Sequence, residues 1–338
     1  MSGRARYIVV GAGAIGLLLA AQWTRAGVDV VLVARGRGLD AVRERGVTVR
    51  RPRGDESVRV EVAASVADAA PTAADSIVLA VKAQDAEATI AEIAWLPLAD
   101  GEGVVADLPI LTVQNGLVAE ETALRRFPRV IGVSLGIPAS HLAPGVVVSP
   151  GSPVVGVAWV GGFPASDPAE EERHRSALAR AGFAAFVEPD IAAAKRRKLL
   201  ANLRNVVEVF DAGIAEQAAA ESALASETRR VFAAAGLDVA PPRWDAPQLQ
   251  AEPVAGHEPG HLSTWQSFAR GTSVETDFLS GEVVLLARLV GAPAPLNAAI
   301  ARALGAHAAR GGGPGEVPLP PAFDAVTGAA RATDGATP

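Results

Sequence analysis

A glycine-rich turn near the amino terminus constrains the fold more than any other feature of the 338-residue chain. The sequence GAGAIG directly follows the apolar run YIVV and opens the apolar run AIGLLLAAQW. Glycines at this spacing permit a tight turn, close approach of a pyrophosphate to the backbone and close packing of the following helix. The helix amino terminus adds unpaired N–H groups that attract an anion. We therefore predict a dinucleotide site at Gly11, Ala12, Gly13, Ala14, Ile15 and Gly16.

The pattern after this turn predicts an α/β domain of Rossmann type followed by an all-α domain. Apolar, β-branched runs alternate with alanine-rich segments up to about residue 135, as in a parallel, doubly wound sheet. The runs GVVVS and PVVGVAWV are typical of antiparallel strands that complete the sheet. Later apolar residues recur at helical spacing, and we predict helices at about 190–210, 213–236, 265–290 and 295–310. The expected domains are 1–188 for the nucleotide, 189–311 for the helices and 312–338 as a disordered tail.

Composition narrows the possible functions. The chain contains no cysteine and only five histidines, which are scattered, so we predict no metal site. A net charge of -6 argues against nucleic-acid binding, which usually needs a basic surface. No apolar run is long enough to predict a membrane span, and the leader MSGRAR lacks the features of a signal peptide. We therefore expect a cytoplasmic protein.

The residue at the end of the second predicted strand indicates which dinucleotide is bound. The strand DVVLVA is followed by Arg35, at about the position where an NAD site carries an acid for the ribose 2′-hydroxyl. An arginine fork suits a doubly charged 2′-phosphate, which an acid would repel. Arg35, with Arg37 as a second candidate, therefore predicts NADPH or NADP. The alternative is a solvated surface arginine with no ligand.

Further motifs follow later strands and occupy the helical half. AVKAQDAEA follows the strand SIVLAV, QNGLVAEE follows PILTV, and the helical half contains RRKLLANLRN and STWQSFARGTSVETDFLSGEVV. Together with GAGAIG, these segments resemble the ketopantoate reductase family over roughly residues 7–305. The resemblance implies a Rossmann domain, a helical domain and reduction of a 2-oxo acid by NADPH in the cleft between them.

The resemblance also implies individual roles. Lys198 would be the general acid that protonates the nascent alkoxide, and Glu275 would sit near it and tune or relay its proton. The residues implied to contact substrate are Lys82, Asn115, Asn202 and Ser263. Those implied to contact the cofactor outside the glycine turn are Lys82, Asn115 and Glu275, in addition to Arg35, which its position after the second strand predicts. Hydride addition builds negative charge on oxygen that a nearby ammonium can neutralise, although the residues alone leave open that Lys198 belongs to a solvated basic face.

The chain departs from the family pattern near the predicted substrate site. The family commonly has a second asparagine eight residues after the lysine, where this chain has Val206; Asn205 lies one position early, about 100° away around a helix. Ser267 replaces an aspartate, and Glu208 stands in a segment that is usually uncharged. Leaving a buried hydroxyl unpaired costs about 1 to 3 kcal/mol. Val206 therefore opens the alternative of a substrate less polar than ketopantoate.

Three functions remain open at this point. The leading one is reduction of ketopantoate to pantoate in pantothenate biosynthesis. The second is reduction of the C=O or C=N bond of another pathway intermediate by a diverged enzyme, and the third is a non-catalytic NADP-sensing or interaction protein. The apolar helical domain suits a homodimer. The proline-rich stretch 239–260 is expected to be an irregular loop between helices that could border the cleft.

Overall fold

The computed structural model describes residues 6–242, 249–255 and 261–328. The strands are β1 (Tyr7–Val10), β2 (Val30–Val33), β3 (Val47–Arg51), β4 (Gly54–Val58), β5 (Glu61–Ala63), β6 (Ser76–Leu79), β7 (Ile110–Thr112), β8 (Val130–Gly136), β9 (Ser140–Ala143), β10 (Val146–Val148), β11 (Gly151–Ser152), β12 (Val157–Phe163), β13 (Ala184–Val187) and β14 (Gln250–Ala251). The helices are α1 (Ala14–Arg25), α2 (Gly36–Arg45), α3 (Ala86–Ile93), α4 (Val118–Leu124), α5 (Pro168–Arg180), α6 (Ile191–Val207), α7 (Ile214–Ala234), α8 (Ser263–Ala269), α9 (Ser280–Val290) and α10 (Pro295–Ala309). They form two compact units.

An eight-stranded sheet forms the centre of the first unit, in the order β13-β12-β8-β7-β6-β1-β2-β5. The six strands from β8 to β5 are parallel, and β12 pairs antiparallel with β8. Both faces are covered: Tyr7 and Val9 of β1 belong to one buried cluster, whereas Ile8 and Val10 belong to another. Alternate residues of a strand point to opposite faces, so continuous apolar runs become strands buried on both sides. The predicted α/β class with a helical second domain is confirmed.

A second sheet of the first unit has the order β4-β3-β10-β9. The hairpin of β3 and β4 was not predicted, because the alternating charged residues of RRPRGDESVRV hide its apolar positions. The run GVVVS was expected to complete the main sheet. It instead pairs through β10 with β3, while the run PVVGVAWV supplies β12 of the main sheet.

The second unit is helical and is built around one apolar cluster. Its described residues are 115–117, 195–241 and 261–328. The core includes Leu203 and Val206 of α6, Phe232 of α7 and Ile300 of α10. The helix predicted at 265–290 is wrong as a single element, because α8 ends at Ala269 and α9 begins at Ser280. The first helix ends immediately before Gly271, whose left-handed φ of +60° stops a helix as a glycine after the C-cap readily does.

The tail was predicted to be disordered from residue 312, and this is wrong for residues 312–328. Leu319 and Phe323 are buried in the core of the second unit. The Asp211 amide donates to the Val317 carbonyl at 2.8 Å, which ties the segment to the connection between α6 and α7. Two large apolar side chains buried in a ready-made core offset the ordering entropy that the small residues around them cannot. The remainder of the predicted tail, residues 329–338, lies outside the described residues.

The proline-rich stretch was assigned to the helical domain, and for residues 249–255 the structure differs. β14 pairs antiparallel with β11, and the Glu252 amide donates to the Pro150 carbonyl at 2.9 Å, so these residues belong to the first unit. Conversely, residues 115–117 group with the helical unit because Leu117 packs against its core. Residues 243–248 and 256–260 of the predicted loop lie outside the described residues.

Candidate functional site

The glycine turn lies between β1 and α1 as predicted, and its three glycines have three different surroundings. Gly11 has a φ of +116°, and a Cβ there would lie 2.9 Å from the Ala80 carbonyl carbon beyond β6. A Cβ on Gly16 would collide with the Gly11 carbonyl oxygen, so this glycine lets the helix pack on the turn. A Cβ on Gly13 would meet no atom within 4 Å, and Gly13 is exposed at the helix amino cap. The backbone is thus open where a pyrophosphate would approach it.

Arg35 follows β2 and is the amino cap of α2. Its guanidinium is 67% exposed and forms an ion pair with Glu92 of α3. Arg37 is also exposed. Parallel sheets bind ligands at the carboxyl ends of their strands, which is where Arg35 lies. Because the side chains of both Arg35 and Glu92 are at least half exposed, their ion pair is weak, and the guanidinium can bind another anion in place of the carboxylate at little cost.

Lys82 lies just beyond β6 and caps a short 3-10 turn that leads into α3. Its segment is held by Gln114, which sequence reasoning missed. Gln114 is buried, and its Nε2 donates to the carbonyls of Leu79 at 2.6 Å and Val81 at 3.0 Å. The signal was present in the QNG motif, but we predicted a role only for its asparagine.

Two predicted substrate residues, Asn115 and Asn202, contact each other in the second unit. Asn202 Nδ2 donates to Asn115 Oδ1 at 3.0 Å, and Asn202 is buried. Gly116 lies beside them with a φ of +83°, and a Cβ there would be 2.6 Å from the Phe278 carbonyl oxygen. The glycine of QNG is therefore required by close backbone packing. This hydrogen bond uses one donor of Asn202 and the side-chain oxygen of Asn115, so Asn202 Oδ1 can still accept and Asn115 Nδ2 can still donate.

Lys198 lies one helical turn before Asn202 on α6. It is partly buried, and desolvation, with a smaller contribution from the Arg204 charge, lowers the pKa of its ammonium from 10.5 to about 8. An acid with a pKa near neutral pH gives up its proton more readily than an ordinary lysine. The solvated basic face that the residues alone left open does not describe this side chain.

Asn205 and Val206 of α6 lie in environments opposite to those expected from the sequence. Val206 is fully buried in the apolar core of the second unit, so its side chain lines no polar site and the inference of a less polar substrate is not supported. Asn205 lies seven residues after Lys198, about 20° from it around the helix, whereas Val206 is about 80° away. Asn205 is buried and its Nδ2 donates to Ser263 Oγ at 3.2 Å. Measuring angles from Lys198 would have identified it.

Ser263 is the exposed first residue of α8, and the other departures from the family pattern surround it. Glu208 Oε2 accepts the Leu262 amide at 2.8 Å, and His261 Nδ1 donates to Glu208 Oε1 at 3.2 Å. Ser267 Oγ donates to the Ser263 carbonyl at 3.0 Å within the helix. Glu208 and Ser267 therefore shape the segment that presents Ser263.

Glu275 is partly buried and caps a 3-10 turn at Thr276–Phe278. The Phe278 amide donates to the Glu275 carbonyl at 2.9 Å, and the Phe278 carbonyl lies against Gly116. Glu275 thus belongs to the same packed region of the second unit as Asn115. Its action on the Lys198 proton stays a prediction.

Neither a metal-binding cluster nor a membrane-spanning helix is found in the part of the chain that the structure describes. No cluster of three or more histidine, aspartate or glutamate side chains suited to a metal ion occurs among residues 6–242, 249–255 and 261–328. Over the same part of the chain, no helix combines the length and apolar character that crossing a membrane requires.

Models of one protein family match most of the chain. The model described as ketopantoate reductase PanE/ApbA matches residues 7–160, and the one described as ketopantoate reductase PanE/ApbA C terminal matches residues 190–308. The chain is 26% identical over 320 residues to the 2-dehydropantoate 2-reductase of Pyrococcus horikoshii, covering 91% of this chain and 99% of the relative. It is 28% identical over 290 residues to the enzyme of the same name from Archaeoglobus fulgidus, covering 82% and 90%.

Solved structures show the same fold. A PanE/ApbA family ketopantoate reductase from Ralstonia eutropha superposes with a TM-score of 0.71 at 20% identity, covering 90% of this chain and 99% of that chain. A D-mandelate dehydrogenase bound to NADH and anilino(oxo)acetate superposes with a TM-score of 0.73 at 16% identity, with the same coverage. At such identities the likeness concerns the fold.

Proposed function

The chain belongs to the ketopantoate reductase family, and on that premise we propose that it reduces ketopantoate to pantoate with NADPH in pantothenate biosynthesis. The observation that carries the proposal is the face of α6. Lys198, Asn202 and Asn205 lie on this face, and Asn202 and Asn205 are hydrogen-bonded to Asn115 and Ser263 respectively. One ammonium, the amides of Asn115 and Asn202, and the Ser263 hydroxyl are suited to a carbonyl oxygen and a carboxylate.

The glycine turn fits the cofactor. Gly13 leaves space for a pyrophosphate, the start of α1 has no acidic residue in its first turn, and Arg35 is exposed for a 2′-phosphate. When bound, NADPH supplies the hydride. Lys82 follows β6 and Asn115 follows the neighbouring strand β7. In the proposal both residues contact cofactor and substrate, and Glu275 also contacts the cofactor.

Lys198 acts as the general acid. As hydride reaches the carbonyl carbon, negative charge develops on the oxygen, and the ammonium stabilises it and then transfers a proton from Nζ. The lowered pKa of about 8 keeps Lys198 mostly protonated at pH 7 while easing that transfer. Glu275 returns a proton to the amine in the proposal.

The remaining groups hold the substrate. Asn202 Oδ1 and Asn115 Nδ2 are the free acceptor and donor of the amide pair, and Ser263 binds the carboxylate. Val206 lies in the apolar core of the second unit, so it does not bear on whether the hydroxyl of ketopantoate is paired. The argument from Val206 for a less polar substrate is thereby removed, while Glu208 and Ser267 still depart from the family pattern.

The test is NADPH oxidation with ketopantoate compared with 2-oxo acids that lack its hydroxyl. We expect a clear preference for ketopantoate in kcat/KM. We also expect Lys198→Ala to lower kcat by about 100-fold or more, as loss of a general acid does. Equal turnover of all 2-oxo acids would exclude ketopantoate as the substrate, and a Lys198→Ala variant with full turnover would favour the non-catalytic alternative.

The cofactor assignment has its own test in the Arg35 ion pair. Arg35→Ala should weaken NADPH binding by about tenfold or more and leave NADH binding nearly unchanged, because only NADPH has the 2′-phosphate. Glu92→Gln should tighten NADPH binding severalfold, since it removes a competing carboxylate. Glu87→Gln is the matched control, because Glu87 lies on the same helix and pairs with Arg126. Equal effects on both dinucleotides, measured by calorimetry, would contradict the role of Arg35.

Two further expectations belong to the proposal. Leu285 and Leu289 form an exposed apolar strip on α9, with Leu289 75% exposed, which supports a homodimer. Replacing both by glutamate should shift the mass measured by light scattering to that of a monomer.

The cytoplasmic location remains a prediction that cell fractionation can check.

A further inference from the structure

Residues at the carboxyl end of α6 form hydrogen bonds with His261, Leu262 and Ser263, which lead into α8. Asn205 Nδ2 donates to Ser263 Oγ at 3.2 Å, and Glu208 accepts the Leu262 amide at 2.8 Å and the His261 Nδ1 proton at 3.2 Å. Asn205 and Glu208 are mostly buried, whereas Ser263 is exposed. The helix that carries Lys198 therefore also determines where the Ser263 hydroxyl lies.

The direction of the Asn205 hydrogen bond determines what Ser263 can do. An amide nitrogen can only donate, so the Ser263 oxygen is the acceptor in this contact. The hydroxyl proton is thereby left to point elsewhere. A carboxylate can only accept hydrogen bonds, so a serine whose oxygen is already engaged and whose proton is available is suited to bind one.

We propose that Asn205 is a positioning residue that makes Ser263 a hydrogen-bond donor toward the substrate carboxylate, with Glu208 fixing the backbone beside it. The inference rests on the proposed function, in which Ser263 binds that carboxylate. Asn205 acts through Ser263 on the affinity for 2-oxo acids. It does not take part in proton or hydride transfer.

The decisive variant is Asn205→Asp, which keeps the size of the side chain and reverses its hydrogen bonding. An aspartate accepts the Ser263 proton and so withdraws it from the substrate. We expect KM for ketopantoate to rise by about tenfold or more, because a hydrogen bond to a charged group is lost. kcat and the Kd of NADPH should stay within about twofold, since neither Lys198 nor the glycine turn is changed. Asn205→Ala should raise KM less, by a few fold.

A matched control separates hydrogen-bond direction from added charge. Gln266 lies one helical turn after Ser263, and its Nε2 donates to the His261 carbonyl at 2.8 Å. Gln266→Glu adds the same negative charge without touching the Ser263 hydroxyl, so KM should rise far less than in Asn205→Asp. An equal rise in both variants would show that charge alone acts, and would overturn the proposal.

A double-mutant cycle tests whether Asn205 works through Ser263. Ser263→Ala should raise KM, and Asn205→Asp should add little in that background because the group it acts on is gone. Additive effects would overturn the role of Asn205 while leaving the carboxylate site intact. If Ser263→Ala leaves KM unchanged, the carboxylate site of the proposed function is wrong and the role of Asn205 fails with it. Circular dichroism and NADPH affinity verify that each variant is folded.

Discussion

Replacing Lys198 by methionine should make the protein more stable and almost inactive. Methionine has similar length and no charge, so the buried stem keeps its packing while the ammonium is removed. The lowering of the Lys198 pKa from 10.5 to about 8 corresponds to about 3 kcal/mol, at 1.36 kcal/mol per pH unit. Because the side chain is still partly reached by solvent, we expect the free energy of unfolding to rise by about 1 to 3 kcal/mol at pH 7.

The effect should depend on pH with a definite sign. Below pH 8 the amine is charged in both the folded and the unfolded chain, so the wild type bears the full penalty. Between pH 8 and 10.5 the unfolded chain retains the proton that the folded chain has lost, and wild-type stability rises with pH. Above 10.5 both states are neutral, so the advantage of Lys198→Met should disappear.

Urea denaturation at pH 7, 9 and 10.5 measures this difference. Arg230→Met is the control: it removes an exposed cation of α7 and should change stability by no more than about 0.5 kcal/mol, with no trend in pH. The same pKa predicts that wild-type kcat/KM falls as pH rises above about 8. If Lys198→Met is no more stable than the wild type at pH 7, or if its advantage does not shrink with pH, the buried-ammonium argument is refuted.

Three other predictions concern the fold. Gly116→Ala should cost more stability than Gly27→Ala, because both have positive φ but only Gly116 lies against a backbone carbonyl, and equal losses in urea titrations would contradict the close packing. His174 is buried and desolvation lowers its pKa, so the wild type should lose stability more steeply than His174→Gln as the pH falls below 6.5, and equal acid slopes would exclude this. Phe323→Ala should cost about 3 to 5 kcal/mol, and a loss below about 1 kcal/mol would show that the tail does not pack.

The parts of the fold that sequence could predict depend on local geometry. The glycine turn needs three glycines at fixed spacing for reasons confined to one strand and one helix, and the apolar runs of β1 and β6 are long enough to identify buried strands. Lys198 and Asn202 were assigned to one helix face because their spacing is one turn. Each of these inferences uses only residues that are close in the chain.

The features that the sequence did not predict depend on contacts between residues that are far apart in the chain. β11 and β14 are only two residues each and lie about 100 residues apart, so neither has a pattern of its own. Leu319 and Phe323 stand among glycines and prolines, and only the core that receives them explains their order. The Ser263 contact of Asn205 joins two helices, which a motif aligned position by position does not show.

The pairing of β11 with β14 bears on how the chain is made. The nucleotide-binding unit cannot complete its small two-stranded sheet until β14 has left the ribosome, after α6 and α7 have been synthesised. The main parallel sheet can form earlier, because all of its strands precede α6. A fragment that stops after β13 would therefore leave the backbone groups of β11 without their partner strand. A split gene or a fusion that separates the two units would have to add residues 249–255 to the piece that carries β11.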